Sequence, residues 1–151
     1  MPSSSSPGGS AAAPALPVGL RASVQATVTE ADTALALGSG DVPVLATPRL
    51  LALAEAATVA AVAPQLTDGL TTVGTAVTLE HRRASPVGAE VAVEAELTEV
   101  DGQRLVFRFI ARAAGTTADT GAGADLVYGA GTVERVILDR ARFIARAGAP
   151  Q

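Results

Sequence analysis

The run from Leu50 to Ala63 (LLALAEAATVAAVA) carries a single charge, Glu55, in a stretch otherwise built almost entirely of Leu, Ala and Val. Pro48 and Pro64 bracket it, so the segment is one helix and falls short of the ~18–20 apolar residues that span a bilayer. A helix that is apolar nearly all round is a buried helix. The rest of the chain must therefore wrap around it. At helical spacing Glu55 shares a stripe with Leu51, Val59 and Val62, which predicts a carboxylate on the dry side. An ionised acid there is costly unless it is paired or hydrogen-bonded, and such a residue is usually retained for specificity or chemistry.

The pattern around this helix predicts strands. Leu20 to Thr29 alternates as a first strand, and residues 35–46 form a Gly/Pro-containing connection. Thr47 is the expected N-cap, with Pro48 at the first helical position. Four strand-like segments follow, near 73–82, 89–100, 103–113 and 127–139. In the first, Val73, Thr75, Val77, Leu79 and His81 share one face, with Gly74 and Ala76 on the other. A three-residue loop with Gly102 left-handed predicts a hairpin that pairs Leu97 with Leu105, Ala95 with Phe107, Val93 with Phe109, Glu94 with Arg108 and Glu90 with Arg112. Bulges are expected at Gly129 and Gly131, a flexible loop at 114–126 and a short helical turn at 140–146.

This order gives an α+β fold: an antiparallel five-stranded sheet wrapped around one long central helix. One helix cannot cover such a sheet, so a homodimer, possibly a tetramer, is expected. Residues 1–17 (MPSSSSPGGSAAAPALP) read as a disordered tail without a secretion signal, and 18–148 as the single domain. A soluble, cytoplasmic protein follows from this reading, with no membrane partner.

Composition removes several chemistries. There is no cysteine, which excludes a thiol nucleophile and thiolate metal sites, and the single histidine excludes a multi-histidine metal centre within one subunit. A net charge of −4 argues against nucleic acid as a partner. No nucleophile elbow, Walker loop or dinucleotide fingerprint is present.

The remaining candidates converge on the helix. His81 shares the Leu79 face and should meet the helix, which makes Glu55 and His81 a possible acid/base pair. The plainer reading of His81 is a partly solvated residue at a strand end. Thr47 caps the helix in the plain reading; in the sharper one the helix start offers amides and positive potential to a carbonyl oxygen or oxyanion. Eight positions separate Thr47 from Glu55, about 12 Å of rise. The site is therefore predicted to form across a dimer interface, with the helix start from one subunit and Glu55 and His81 from the other. Gly74 would let backbone approach a ligand, or relieve crowding against the helix. Arg135 is an outward strand residue by default, or else an anion-binding group.

The stretches Ala46-Thr47, Leu53-Ala54-Glu55, Val73-Gly74-Thr75-Ala76, His81 with Ala84-Ser85-Pro86-Val87-Gly88, Val100 to Leu105, and Gly131-Thr132-Val133-Glu134-Arg135 resemble the hot-dog thioesterase superfamily, and most closely its fluoroacetyl-CoA thioesterase-like family. The resemblance runs from about Val18 to Arg146. It implies a dimeric hot-dog fold and hydrolysis of a short acyl-CoA or acyl-carrier thioester at the subunit interface. It implies no cofactor, coenzyme A being part of the substrate. Thr47, Glu55 and His81 would be the catalytic residues, and Gly74 and Arg135 would contact substrate. The segment before Thr47, Leu35 to Ala46, has no aromatic residue, so a tight lid over a fluorinated acyl group is not supported. A hot-dog hydratase or dehydratase, with its histidine next to the helix start, and a non-catalytic acyl-CoA-binding module are the alternatives.

Overall fold

The computed structural model describes residues 16–114 and 126–149. Its elements are β1 (Arg21–Thr27), a short α1 (Ala34–Leu37), the long α2 (Thr47–Val62), β2 (Leu70–His81), β3 (Glu90–Asp101), β4 (Arg104–Ala113), β5 (Val127–Asp139) and α3 (Arg140–Ala147). The strands form one antiparallel sheet in the order β1-β3-β4-β5-β2. Most of the predicted tail, and the interior of the predicted 114–126 loop, lie outside the described residues. Leu16, at the end of that tail, is buried in the core.

The long helix starts where Pro48 permits and turns into a short 3-10 segment at Pro64, as the two prolines predict. Its buried face is Leu50, Leu53, Ala54, Ala57, Thr58, Ala61 and Val62. That face packs on Val91, Val93, Ala95 and Leu97 of β3 and on Leu105, Phe107, Phe109 and Ala111 of β4. Alanine on the helix side keeps the two layers close, and both core phenylalanines come from the sheet. The stripe predicted to be dry is so only in part, since Val62 is buried while Leu51 and Glu55 are half-buried and Val59 is exposed. Val59 is 43% exposed and the Glu55 side chain 39% exposed in the single chain. A Leu/Ala/Val helix presents apolar groups on every side, so its pattern does not identify which side meets the sheet.

The β3–β4 hairpin keeps the predicted faces but not the predicted register. Asp101 pairs with Arg104 and Val100 with Leu105; a bulge at Thr98 then sets Leu97 opposite Phe107, Ala95 opposite Phe109 and Val93 opposite Ala111. Glu96, rather than Glu94, faces Arg108, and Ala92 faces Arg112. The turn is a two-residue Gly102-Gln103 connection with Gly102 at φ +63°. The extra residue at Thr98 restores the alternation that this turn would otherwise break.

A second bulge, at Thr75 in β2, changes which residues point inward. Val77, Leu79 and His81 pair with Val133, Gly131 and Gly129 on the helix side, as predicted. Before the bulge the parity flips, so Gly74 pairs with Arg135 and Thr72 with Ile137 on that same side, and Val73 turns away. In β5 the bulge falls at Tyr128 rather than at Gly129 or Gly131. Those glycines serve close approach instead: a Cβ at Gly129 would lie 2.7 Å from the Glu80 carbonyl oxygen and 3.2 Å from Leu50, and one at Gly131 would collide with the Thr78 carbonyl.

Leu50 is fully buried where the start of α2 meets β5. Leu50→Ala should cost about 2–5 kcal/mol in denaturant unfolding followed by circular dichroism, and Leu51→Ala, on the half-open stripe, clearly less.

Candidate active site

The start of α2 is fixed from the preceding turn. Arg49 Nε donates to Asp32 Oδ1 at 2.9 Å, and the Ala46 N–H donates to the Asp32 carbonyl oxygen at 2.9 Å. The Asp32 carboxyl is held below its ordinary range, first by the Thr29 backbone N–H and then by the Thr29 hydroxyl and Arg49. Ala46, rather than Thr47, is the N-cap, and no side chain caps the helix. The Thr47 hydroxyl is thereby released for another partner. It lies 2.8 Å from His81 Nδ1.

His81 enters from the end of β2, on the inner face opposite Gly129. Burial lowers its pKa from the ordinary 6.5, so the ring is held neutral. Its Nε2 is buried and has no hydrogen-bond partner among the described residues. A neutral imidazole with one nitrogen on a hydroxyl and the other free can accept a proton from that hydroxyl or hold it in place. Sequence reasoning paired this ring with Glu55 and assigned it to the subunit opposite the helix start. The second expectation fails, because Thr47 of its own chain lies against His81, and within one chain Glu55 is not the partner of the ring.

Glu55 belongs to a second cluster, two turns further along α2. Its Oε2 lies 3.7 Å from Arg135 Nη1. Arg135 is not the outward residue expected: it is 6% exposed, on the inner parity of β5 with Val133 and Ile137. Its Nε donates to Thr72 Oγ1 at 2.8 Å and its Nη2 to the Thr72 carbonyl at 3.1 Å. Burial pulls the Arg135 pKa below its ordinary value, and the charge of Glu55 opposes that shift. Gly74 makes room for the pair, since a Cβ there would sit 2.6 Å from Glu55 Oε2 and 3.5 Å from Arg135 Nη1. The Val133-x-Arg135-x-Ile137 alternation was the available signal for an inward Arg135; nothing in the sequence marked Thr72.

The structure thus assembles the predicted residues as two clusters in one chain, Thr47 with His81 and Glu55 with Gly74 and Arg135. A cavity of roughly 320 Å³ opens beside the first, lined by Thr47, His81, Val42, Val44, Arg82 and Arg83 among others. Among the described residues there is no group of acidic or histidine side chains that could hold a metal ion, and no helix is long and apolar enough to cross a membrane.

The model of the fluoroacetyl-CoA-specific thioesterase family matches residues 28–141, most of the chain and every residue of both clusters. The chain belongs to the fluoroacetyl-CoA-specific thioesterase family. It is 38% identical to the fluoroacetyl-CoA thioesterase of Streptantibioticus cattleyicolor over 103 residues, covering 68% of this chain and 67% of that one. A solved structure of a fluoroacetyl-CoA thioesterase superposes with a TM-score of 0.76 at 32% identity, over 90% of this chain and 99% of the other. A mutant of that thioesterase in complex with acetyl-CoA matches with a TM-score of 0.76 at 30% identity, over 87% and 96%. A thioesterase superfamily member from Thermus thermophilus gives 0.73 at 28%, over 85% and 88%. The fold is the hot-dog fold of these proteins, and the chain is a thioester hydrolase of the acyl-CoA class.

Two outcomes test this family member's site. Gly74→Ala should leave the melting temperature close to wild type, because the obstructing atom ends a flexible side chain, yet lower kcat/KM by displacing Glu55 from Arg135. For His81, a lowered native pKa means that the unfolded chain binds the proton more readily. Its contribution to stability is therefore complete above about pH 6.5 and declines as pH falls from there toward the native pKa. Urea midpoints at pH 7.5 and 5 should show this loss in wild type and a smaller one in His81→Ala.

Proposed function

We propose that this chain hydrolyses a short acyl-CoA thioester in a homodimer, with Thr47, His81 and Glu55 as catalytic residues and Gly74 and Arg135 shaping the substrate site. The observation that carries the reading is the 2.8 Å contact between Thr47 Oγ1 and His81 Nδ1, with the second ring nitrogen buried and free. His81 takes the Thr47 proton as the hydroxyl oxygen attacks the thioester carbonyl. The carbon–sulfur bond then breaks as the imidazolium passes that proton to the departing sulfur, and the neutral ring next takes a proton from the water that cleaves the Thr47 ester and returns it to the Thr47 oxygen. Glu55, reaching the free side of the ring from a second copy, balances the imidazolium charge.

The homodimer rests on the open side of the fold. β2 is an edge strand, and Val77 on it is 42% exposed, as is Val59 on the Glu55 stripe of α2 at 43%. An exposed apolar edge of this length invites pairing with another strand. Antiparallel pairing of β2 with its copy about a twofold near Val77 and Thr78 sets Gly74 level with His81 of the copy. The two clusters, too far apart along one helix, then meet in pairs, giving two sites per dimer.

The hydratase reading expected a histidine beside the helix start. His81 does lie there, supplied by β2, so that feature does not separate the two chemistries. Products do. Thioester hydrolysis should be followed across acyl-CoA chain lengths for wild type, Glu55→Gln, Thr47→Ala and His81→Ala, with dimerisation and folding checked alongside. Each variant should lose about 10²–10⁴-fold in kcat/KM while remaining folded and dimeric, with free acid and thiol as the wild-type products. Equal rates in all four would leave only an acyl-binding module.

A further inference from the structure

The cavity beside Thr47 and His81 is walled on one side by the segment that leaves β2, Arg82-Arg83-Ala84. That segment is held firmly. The N–H groups of Arg82 and Arg83 both donate to the Tyr128 carbonyl, at 2.8 and 3.2 Å, and two residues on the Leu45 N–H donates to the Ser85 carbonyl at 2.9 Å. The two arginines differ in their partners. Arg82 is tied to Glu80 at 3.2 Å, whereas Arg83 has no carboxylate partner among the described residues. Arg83 is thus an exposed, uncompensated guanidinium on a rigid backbone, at the wall of the cavity that holds Thr47 and His81, in a chain of net charge −4.

We infer that Arg83 anchors a phosphate of coenzyme A and so makes this site selective for a coenzyme-borne acyl group over a simpler thioester. The inference rests on the proposed thioesterase site, and adds the group that recognises the thiol half of the substrate. A planar guanidinium matches phosphate oxygens in a bidentate way, and among the described residues no carboxylate pairs with this one. The 3′-phosphate and the pyrophosphate of coenzyme A offer the same chemistry, and the ligands of the test separate them.

The test measures calorimetric binding of coenzyme A, dephospho-coenzyme A and pantetheine to wild type, Arg83→Ala, Arg83→Lys and Arg112→Ala, with acyl-CoA hydrolysis assayed in parallel. Wild type should bind coenzyme A about tenfold or more tightly than pantetheine. Arg83→Ala should lose that preference, Arg83→Lys recover part of it, and Arg112→Ala, which removes an exposed charge on β4, keep it. Dephospho-coenzyme A binding like pantetheine assigns the contact to the 3′-phosphate, and binding like coenzyme A assigns it to the pyrophosphate. Equal wild-type affinity for all three ligands, or a preference untouched in Arg83→Ala, overturns the inference. Because binding is read without turnover, a protein that prefers coenzyme A through Arg83 but hydrolyses nothing would refute the thioesterase site and leave the phosphate contact standing.

Discussion

One helix has to cover a sheet wider than itself, and the rest of the molecule follows from that mismatch. A helix with its side chains is about 10 Å across, whereas five strands spaced near 4.8 Å span roughly twice that. α2 meets the sheet through Leu50, Ala54, Ala57 and Ala61, and its opposite stripe and the edge of β2 stay bare. Thr47, Glu55, Gly74 and His81 all sit along that uncovered border. The groups proposed for catalysis thus lie where the fold is incomplete, which is where a second copy would complete it.

The two clusters solve different electrostatic problems. His81 is kept neutral by burial, and its Nδ1 faces a hydroxyl from which it can receive a proton. Arg135 is a buried cation, which is tolerable only because Thr72 accepts two of its hydrogen bonds and Glu55 supplies opposite charge. Glu55 is therefore held in a fixed place by a residue that needs it, with its other side open. Gly74 is the space that makes this possible.

Much of the fold was legible in the residues. Pro48 and Pro64 set the bounds of α2, β-branched alternation located every strand, and the last strand was placed at Val127–Asp139 as found. What misled was the single extra residue. Thr98 and Thr75 each occupy a bulge that no composition marks, and each flips the parity of the chain on one side of it. For this reason the hairpin register slipped and Gly74 was assigned to the outer face. The helix misled in another way, because Leu, Ala and Val on every side hide which stripe is covered. Thr47, Glu55, Gly74, His81 and Arg135 were all singled out, but their partnering was not. A capping threonine and a hydroxyl facing an imidazole look identical until the backbone shows that Ala46 has taken the cap.

The central claim is that Thr47 and His81 of one copy act with Glu55 of another, and mixing inactive variants tests it most directly. Glu55→Gln and His81→Ala chains, each inactive alone, would be denatured, combined in equal amounts and refolded. If the site is shared, each mixed dimer regains one intact site, and random assortment restores about a quarter of wild-type turnover per chain. Turnover that stays at the level of the separate variants, in a sample shown to contain mixed dimers, would place the whole site within one chain and contradict the account.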